Sequence, residues 1–172
     1  MNEKRNHFKR SGEDSLVTFG GEANSWNGLD LSKMGLSLIS KRLALYSHIT
    51  CLFLNDNKLA TIPDIVFTLK KLNKLDLSNN QITKLPPALG RLVYLQELAL
   101  SGNKIRELPC EMGKLFRLKV LHLDSNPITS PPPAILKQGV EATIGYLREK
   151  TPRTLPLLSH ENLPTCHTSS TY

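Results

Sequence analysis

Apolar and polar positions along the chain repeat with a period of 23 residues. The first apolar residue of each unit stands at Trp26, Ile49, Leu72, Leu95 and Leu118. Apolar residues follow three and five positions later in every unit, as at Leu75 and Leu77. This alternation predicts one short strand per unit, with one buried face. Since the units keep the same length and phase, they predict a stack of similar coils that share one core.

An asparagine recurs shortly after each predicted strand except the first. It stands at Asn57, Asn80, Asn103 and Asn126. A side-chain amide both donates and accepts hydrogen bonds, so we interpret these residues as a buried ladder that pairs with main-chain groups. Their role is then structural and not catalytic, because buried amides are normally consumed by hydrogen bonding.

The second half of each unit is short, and in the three middle units it begins at an aliphatic-proline pair: Ile62-Pro63, Leu85-Pro86 and Leu108-Pro109. Residues 87–92 predict a helical turn on the convex side. The sequence therefore predicts an α/β fold, namely a leucine-rich-repeat solenoid of about five 23-residue repeats, with parallel strands on its concave face.

The two ends of the pattern differ from its middle. In the first unit Met34 replaces the asparagine and Ser40 replaces the proline, so residues 26–46 predict an N-terminal cap. After Pro131, apolar residues recur every three or four positions, which predicts a capping helix over 134–149. The apolar residues of that helix are Leu136, Val140, Ile144 and Leu147.

The length of 172 residues suits one domain with modest tails. We expect a repeat domain over 26–150 and flexible tails at 1–25 and 151–172, which lack periodicity and are rich in Ser, Thr, Asn and Pro. No run approaches the roughly 18 apolar residues of a membrane helix, and no apolar segment follows the charged N-terminus. We therefore expect no membrane association and no secretion.

Three cysteines, Cys51, Cys110 and Cys166, lie far apart and form neither a disulfide framework nor a metal-spaced set. A reducing compartment is favoured, the cytoplasm and also the nucleus. We expect the chain to be monomeric on its own and to need no cofactor.

The predicted strands place a defined set of side chains on the concave face, and we take these as candidate partner-binding residues. They are Asp30, Phe53, Asn55, Lys74, Asp76, Ser78, Glu97, His122 and Asp124. Phe53 is a large aromatic residue at an outward position, beside Cys51, Ala99 and Val120. This group is interpreted either as an anchor for a protein partner or as scattered surface hydrophobic residues.

The net charge of +7 raises the question of nucleic-acid binding. On the concave face, the outward positions of the predicted strands and of the turns after them carry five acidic and two basic residues, a net charge of −3. The other residues of 26–132 carry twelve basic and three acidic side chains, a net charge of +9. A mildly acidic concave face would repel phosphates, so we expect direct nucleic-acid binding to be absent or weak. Basic residues outside that face are interpreted as a solvated surface in preference to an RNA-binding patch. Examples are Lys70, Lys71, Lys104, Lys114 and Arg117.

No residue pattern predicts an enzyme. His122 has only Asp124 and Glu97 as plausible partners, with no second histidine or nucleophile in register, so a solvated histidine is the favoured interpretation. Cys51 has no base beside it. Phosphate loops, paired catalytic carboxylates and metal-spaced His/Cys sets are not found in the sequence.

Three segments carry a resemblance to a known family. They are the run from Trp26 to Ser32, the run from Leu52 to Leu59, and the closing Gly145-Tyr146-Leu147-Arg148-Glu149-Lys150-Thr151-Pro152. Together with the Leu-Pro motifs at 85–90 and 108–115, they resemble the leucine-rich-repeat domain of the carbon catabolite repressor family of deadenylases. The likeness spans about 26–156, and its discriminating parts are the tryptophan-containing cap and the terminal helix.

The resemblance implies a docking role. In that family the repeats bind a second, DEDD-type deadenylase subunit and so join two activities in the messenger-RNA deadenylation complex, while the active site lies in a following nuclease domain. That domain is missing from the 172 residues, so no enzyme activity is expected. A truncated product, a fragment and a stand-alone adaptor all remain open. The alternative function is an intracellular adaptor or regulator of a small GTPase or phosphatase.

Overall fold

The computed structural model describes residues 27–151, and these residues form a stack of strand-and-turn coils with one parallel sheet. The strands run in chain order, each hydrogen-bonded to the next. They are β1 (Gly28–Asp30), β2 (Cys51–Phe53), β3 (Lys74–Asp76), β4 (Glu97–Ala99) and β5 (Val120–His122). Each residue pairs with the residue 23 positions later, as Leu52 with Leu75. The predicted solenoid and its period are confirmed.

The returning half of each coil is a short 3-10 helix. The four helices are Lys41–Tyr46, Asp64–Thr68, Pro87–Arg91 and Cys110–Lys114. Pro63, Pro86 and Pro109 stand directly before the last three, with φ between −74° and −65°. Because the proline ring fixes φ in this range, it sets the chain direction at which each helical turn starts. The predicted helical turn after the Leu-Pro pairs is confirmed.

The core is a continuous column of aliphatic side chains. Leu52, Leu75 and Leu98 at the strand centres are fully buried, and the same holds for most residues at the other repeating apolar positions. The last coil differs, since Leu121, Leu123 and Ile128 are only half-buried. No further coil covers them among the described residues, so the core becomes more accessible towards β5.

The asparagines form the predicted ladder. Asn80 donates from Nδ2 to the carbonyl oxygens of Leu54 (2.9 Å) and Leu77 (3.0 Å), and its Oδ1 accepts from the N–H of Leu59 at 3.0 Å. Asn57, Asn80 and Asn103 are buried, and Asn126 is half-buried at the end of the stack. Every buried side-chain polar atom of residues 27–151 has a partner. The ladder thus supplies hydrogen bonds where one strand ends and the chain turns away.

The predicted single capping helix over 134–149 is wrong in one respect. The segment forms two helices, α1 (Pro133–Leu136) and α2 (Val140–Lys150), separated at Gly139, whose φ is +100°. A residue in this conformation cannot continue a right-handed helix. The apolar spacing continues across the break, since Ile144 and Leu147 of α2 are buried against the last 3-10 helix.

Several sequence predictions lie outside the described residues. These concern Trp26, Cys166 and the two predicted tails, of which only Thr151 is described. Within residues 27–151, no helix combines the length and the apolar character required to cross a membrane.

Candidate binding face

Outward side chains of the five strands form two rows across the concave face. The first row follows the strand starts and the second row the strand ends, with the buried leucines between them. The first row comprises Gly28, Cys51, Lys74, Glu97 and Val120. The second row comprises Asp30, Phe53, Asp76, Ala99 and His122. Because neighbouring strands lie about 4.8 Å apart, adjacent members of a row are within side-chain reach.

Lys74 links three neighbouring strands on this face. Its Nζ lies 2.6 Å from Oε1 of Glu97 on β4 and 5.7 Å from the ring centroid of Phe53 on β2. The side chains of Lys74 and Glu97 are 35% and 33% exposed, so their ion pair contributes only about 0–1 kcal/mol to stability. Its main effect is to hold an aromatic ring, a cation and an anion side by side. We call Phe53, Lys74 and Glu97 the central cluster.

The acidic side chains beside the central cluster are fixed by local hydrogen bonds. Asp76 Oδ1 accepts from the N–H of Ser78 at 2.9 Å, and Asp30 Oδ1 accepts from the N–H of Ser32 at the same distance. Each carboxylate is therefore held near its strand end, and the face has a defined arrangement of charge before a partner arrives.

Asp56 lies in the turn after β2 and accepts two side-chain hydrogen bonds. Asn79 Nδ2 donates to Oδ1 and Asn55 Nδ2 donates to Oδ2, each at 2.8 Å. These bonds, from Asn79 first and then Asn55, lower the pKa of Asp56 below its ordinary value, and the nearby positive charge of Lys33 acts in the same direction. The turn thus keeps a negative charge at the rim of the concave face.

The predicted candidate residues fall into two groups. Six of them lie in the two rows, and Asn55, Ser78 and Asp124 lie just past the ends of β2, β3 and β5. The predicted apolar patch is only partly correct, because Ala99 is buried at 7% exposure. Its methyl group lies in the second row between the longer side chains of Asp76 and His122. Val120 is exposed, and Phe53 is half-buried beside the Lys74 ammonium group.

Groups able to perform chemistry are sparse on this part of the chain. Within the described range, no cluster of three or more His, Cys, Asp and Glu side chains could hold a metal ion. His122 is exposed, and Cys51 and Cys110 are free thiols. What the concave face offers is shape, charge and one aromatic ring, which are features of a binding surface.

Sequence reasoning missed a second group of interactions outside the concave face. The guanidinium of Arg117 lies 4.7 Å from the ring centroid of Tyr94, and that of Arg148 lies 5.0 Å from that of Phe116. The 23-residue period could have predicted the first of these contacts. Tyr94 and Arg117 are 23 residues apart, so they occupy the same position on neighbouring coils.

Comparison with protein families identifies the repeats. A Leucine rich repeat family model matches residues 47–105, and a second Leucine Rich Repeat model matches residues 117–138. No curated protein matches the chain.

Solved structures with the same fold come from several organisms. A leucine-rich-repeat protein of Leptospira interrogans is 32% identical with a TM-score of 0.55, over 59% of this chain and 32% of that one. Internalin C2 of Listeria monocytogenes is 29% identical with a TM-score of 0.55, over 62% and 45%. A chain of the BIR3–SERK2 complex of Arabidopsis thaliana is 31% identical with a TM-score of 0.53, over 59% and 57%. The chain therefore covers between about a third and somewhat over half of these three proteins.

Proposed function

Because the chain carries a leucine-rich-repeat domain, we propose that it is a protein-binding module whose concave face holds a partner protein. Stacked repeats generate extended concave surfaces that suit such binding. The Arabidopsis structure is a complex between two named proteins, which is consistent with this use of the fold.

The central cluster is the observation that supports this proposal most directly. Phe53, Lys74 and Glu97 present an aromatic ring, a cation and an anion within one patch, with the Lys74 ammonium group close to both the Glu97 carboxylate and the Phe53 ring. Aromatic anchors surrounded by charged groups are typical of protein–protein interfaces, where a few such residues supply most of the binding energy. A partner with an apolar contact for Phe53 and complementary charges for Asp76 and Lys74 would fit this face.

We further propose the identity of that partner, a DEDD-type deadenylase subunit. This step rests on the sequence resemblance to the carbon catabolite repressor deadenylases, and in particular on the terminal Tyr146-Leu147-Arg148-Glu149 motif. In this proposal the chain acts as a non-enzymatic docking module of the deadenylation complex in the cytoplasm or nucleus. The free thiols of Cys51 and Cys110 are compatible with a reducing compartment.

A binding titration with the purified DEDD-type subunit tests both steps. The variant Phe53→Ala with Asp76→Arg alters the concave face, and the matched control Tyr94→Ala with Asp64→Arg makes the same chemical changes at exposed positions elsewhere. We expect the first variant to lose binding at least about tenfold, as at interface anchors, and the control to bind as the wild type does. Equal binding by all three proteins would exclude the concave face, and no binding by the wild type would exclude this partner.

A further inference from the structure

The two edges of the solenoid differ in charge and in aromatic content. One edge comprises residues 69–73, 92–96 and 115–119, which join each 3-10 helix to the next strand, and we call it the aromatic edge. It carries four basic residues, no acidic residue and two exposed aromatic rings. The opposite edge comprises 54–63, 77–86 and 100–109 and carries four basic residues, two acidic residues and no aromatic ring.

The period explains why the side chains of the aromatic edge lie together. Lys71, Tyr94 and Arg117 are 23 residues apart and occupy one register, and so do Lys70, Val93 and Phe116. Tyr94 is 46% exposed and Phe116 is 68% exposed, which is unusual for large aromatic side chains. Within residues 27–151, no carboxylate forms an ion pair with Lys70, Lys71 or Arg117. Their charges are available to an anionic ligand.

A cavity of ≈ 610 Å³ opens at the same edge, between the last repeat and α2. Phe116, Arg117 and Lys119 line it on one side, and Gln96 and Glu141 contribute polar groups. The cavity therefore combines an exposed ring, two cations, an amide and one carboxylate.

We propose that the aromatic edge binds single-stranded nucleic acid. The sequence favoured a solvated surface for Lys70, Lys71 and Arg117, and the exposed rings of Tyr94 and Phe116 beside them are what changes that interpretation. Exposed rings provide surfaces on which bases stack, and a row of cations follows the phosphates. Gln96 and Glu141 favour this ligand over an acidic peptide, because they can hydrogen-bond to neutral base edges. Glu141 repels phosphates and carboxylates alike, so the phosphates would follow Lys70 and Lys71 while a base enters the cavity. The acidic concave face remains a separate surface, so nucleic acid and protein partner occupy different sides of the repeats.

The proposal is tested by fluorescence anisotropy with a labelled 12-nucleotide oligouridylate and the full chain. We expect a Kd within about 10⁻⁴ to 10⁻⁶ M that weakens as salt rises, with a log–log slope of about −2 to −3 if three or four phosphates are neutralised. Phe116→Ala should weaken binding about tenfold, since an aromatic stacking surface is lost. Because Phe116 is exposed, this variant should remain folded, which circular dichroism checks.

Charge-reversal variants and competitors separate this site from general attraction by a basic protein. Lys70→Glu with Lys71→Glu should weaken binding, whereas the matched pair Lys58→Glu with Lys104→Glu on the opposite edge should have little effect. Inorganic polyphosphate and polyglutamate should compete poorly and should bind Phe116→Ala as well as the wild type. Equal loss in both charge-reversed pairs, or no effect of Phe116→Ala, would overturn the proposal. Polyglutamate binding that depends on Phe116 would assign the edge to an acidic peptide instead.

Discussion

The main-chain N–H of Leu59 donates to Oδ1 of Asn80 at 3.0 Å, across the boundary between two successive coils. The carbonyl oxygen of Leu54 accepts from two asparagines of the ladder, Asn57 and Asn80, at 2.9 Å each. The ladder therefore provides the Leu54 carbonyl with two donors, but among the described residues it provides the N–H of Leu59 with a single acceptor.

This difference predicts the effect of Asn80→Ala. The carbonyls of Leu54 and Leu77 keep their bonds to Asn57 and Asn103, while the buried N–H of Leu59 loses its partner. We expect the free energy of unfolding, measured by urea titration, to fall by about 2 kcal/mol. The control is Asn126→Ala at the half-buried end of the ladder, where water can replace the lost acceptor and the decrease should be smaller. Equal losses in the two variants would contradict the role of burial.

The strand leucines make a second prediction. Leu98 is fully buried at the centre of β4, so Leu98→Ala leaves a cavity that neighbouring coils fill only in part. We expect a loss of about 2–5 kcal/mol in the free energy of unfolding. Leu38→Ala is the matched control, because Leu38 is 82% exposed and its truncation should leave the urea midpoint nearly unchanged. A large effect at Leu38 would mean that it packs against a surface not seen in the described residues.

The sequence was sufficient to predict the solenoid because one period determines strand, ladder and turn together. The same reasoning placed Phe53, Lys74 and Glu97 on one face. The Lys74–Glu97 contact follows from the 23-residue register, whereas Phe53 pairs in register with Asp76 and reaches Lys74 diagonally. It was insufficient for Ala99, because the burial of so short a side chain depends on the neighbours in its row, Asp76 and His122.

Backbone conformation was the other feature that the residue pattern concealed. One residue per coil adopts a positive φ directly before the position of the ladder asparagine. These residues are Lys33, Asp56, Asn79, Gly102 and Ser125. Only one of them is a glycine, so residue type did not indicate the conformation, which accompanies the repeated turn. At Gly139, by contrast, the apolar spacing of the cap continued through the break and hid it.

The hydrogen bonds of Asp56 predict a dependence of stability on pH. Since folding lowers the pKa of this carboxyl group, the unfolded chain binds more protons at acid pH. The stabilisation is complete above the unfolded pKa and is lost as pH falls through the folded pKa. We expect the urea midpoint of the wild type to decrease more steeply between about pH 5 and about pH 2.5 than that of Asp56→Asn. Asparagine tolerates the positive φ of this position, so the turn is kept, while the substitution removes the charge and one of the two oxygens that accept from Asn79 and Asn55.

Asp64→Asn is the control for that measurement, because the described residues supply no hydrogen bond to the Asp64 carboxylate. It removes one carboxylate charge and leaves the hydrogen bonds from Asn79 and Asn55 to Asp56 in place. A wild-type slope unchanged by Asp56→Asn would show that the bonds from Asn79 and Asn55 do not favour the charged form.

Replacing either of two glycines at the C-terminal cap by alanine should change the free energy of unfolding, with opposite signs at the two positions. A Cβ built on Gly113 would lie 2.6 Å from the Cα and the main-chain nitrogen of Arg148, so an alanine there must displace the backbone of α2. A Cβ on Gly145, within α2, would meet nothing within 4 Å. We expect Gly113→Ala to lower the free energy of unfolding by about 1–3 kcal/mol. Gly145→Ala should raise it by up to about 1 kcal/mol, because alanine favours the helix.

The contrast tests whether the cap packs as closely as the structure shows. Both substitutions add one methyl group at the C-terminal cap, but only the methyl group at Gly113 enters the contact between α2 and the 3-10 helix Cys110–Lys114. A general effect of glycine replacement would give both the same sign. If Gly113→Ala left the urea midpoint unchanged, α2 would have to lie farther from the last repeat. The opposite signs would instead show that Gly113 is required because two backbones approach each other there, and that Leu147 and Ile144 are buried by that approach.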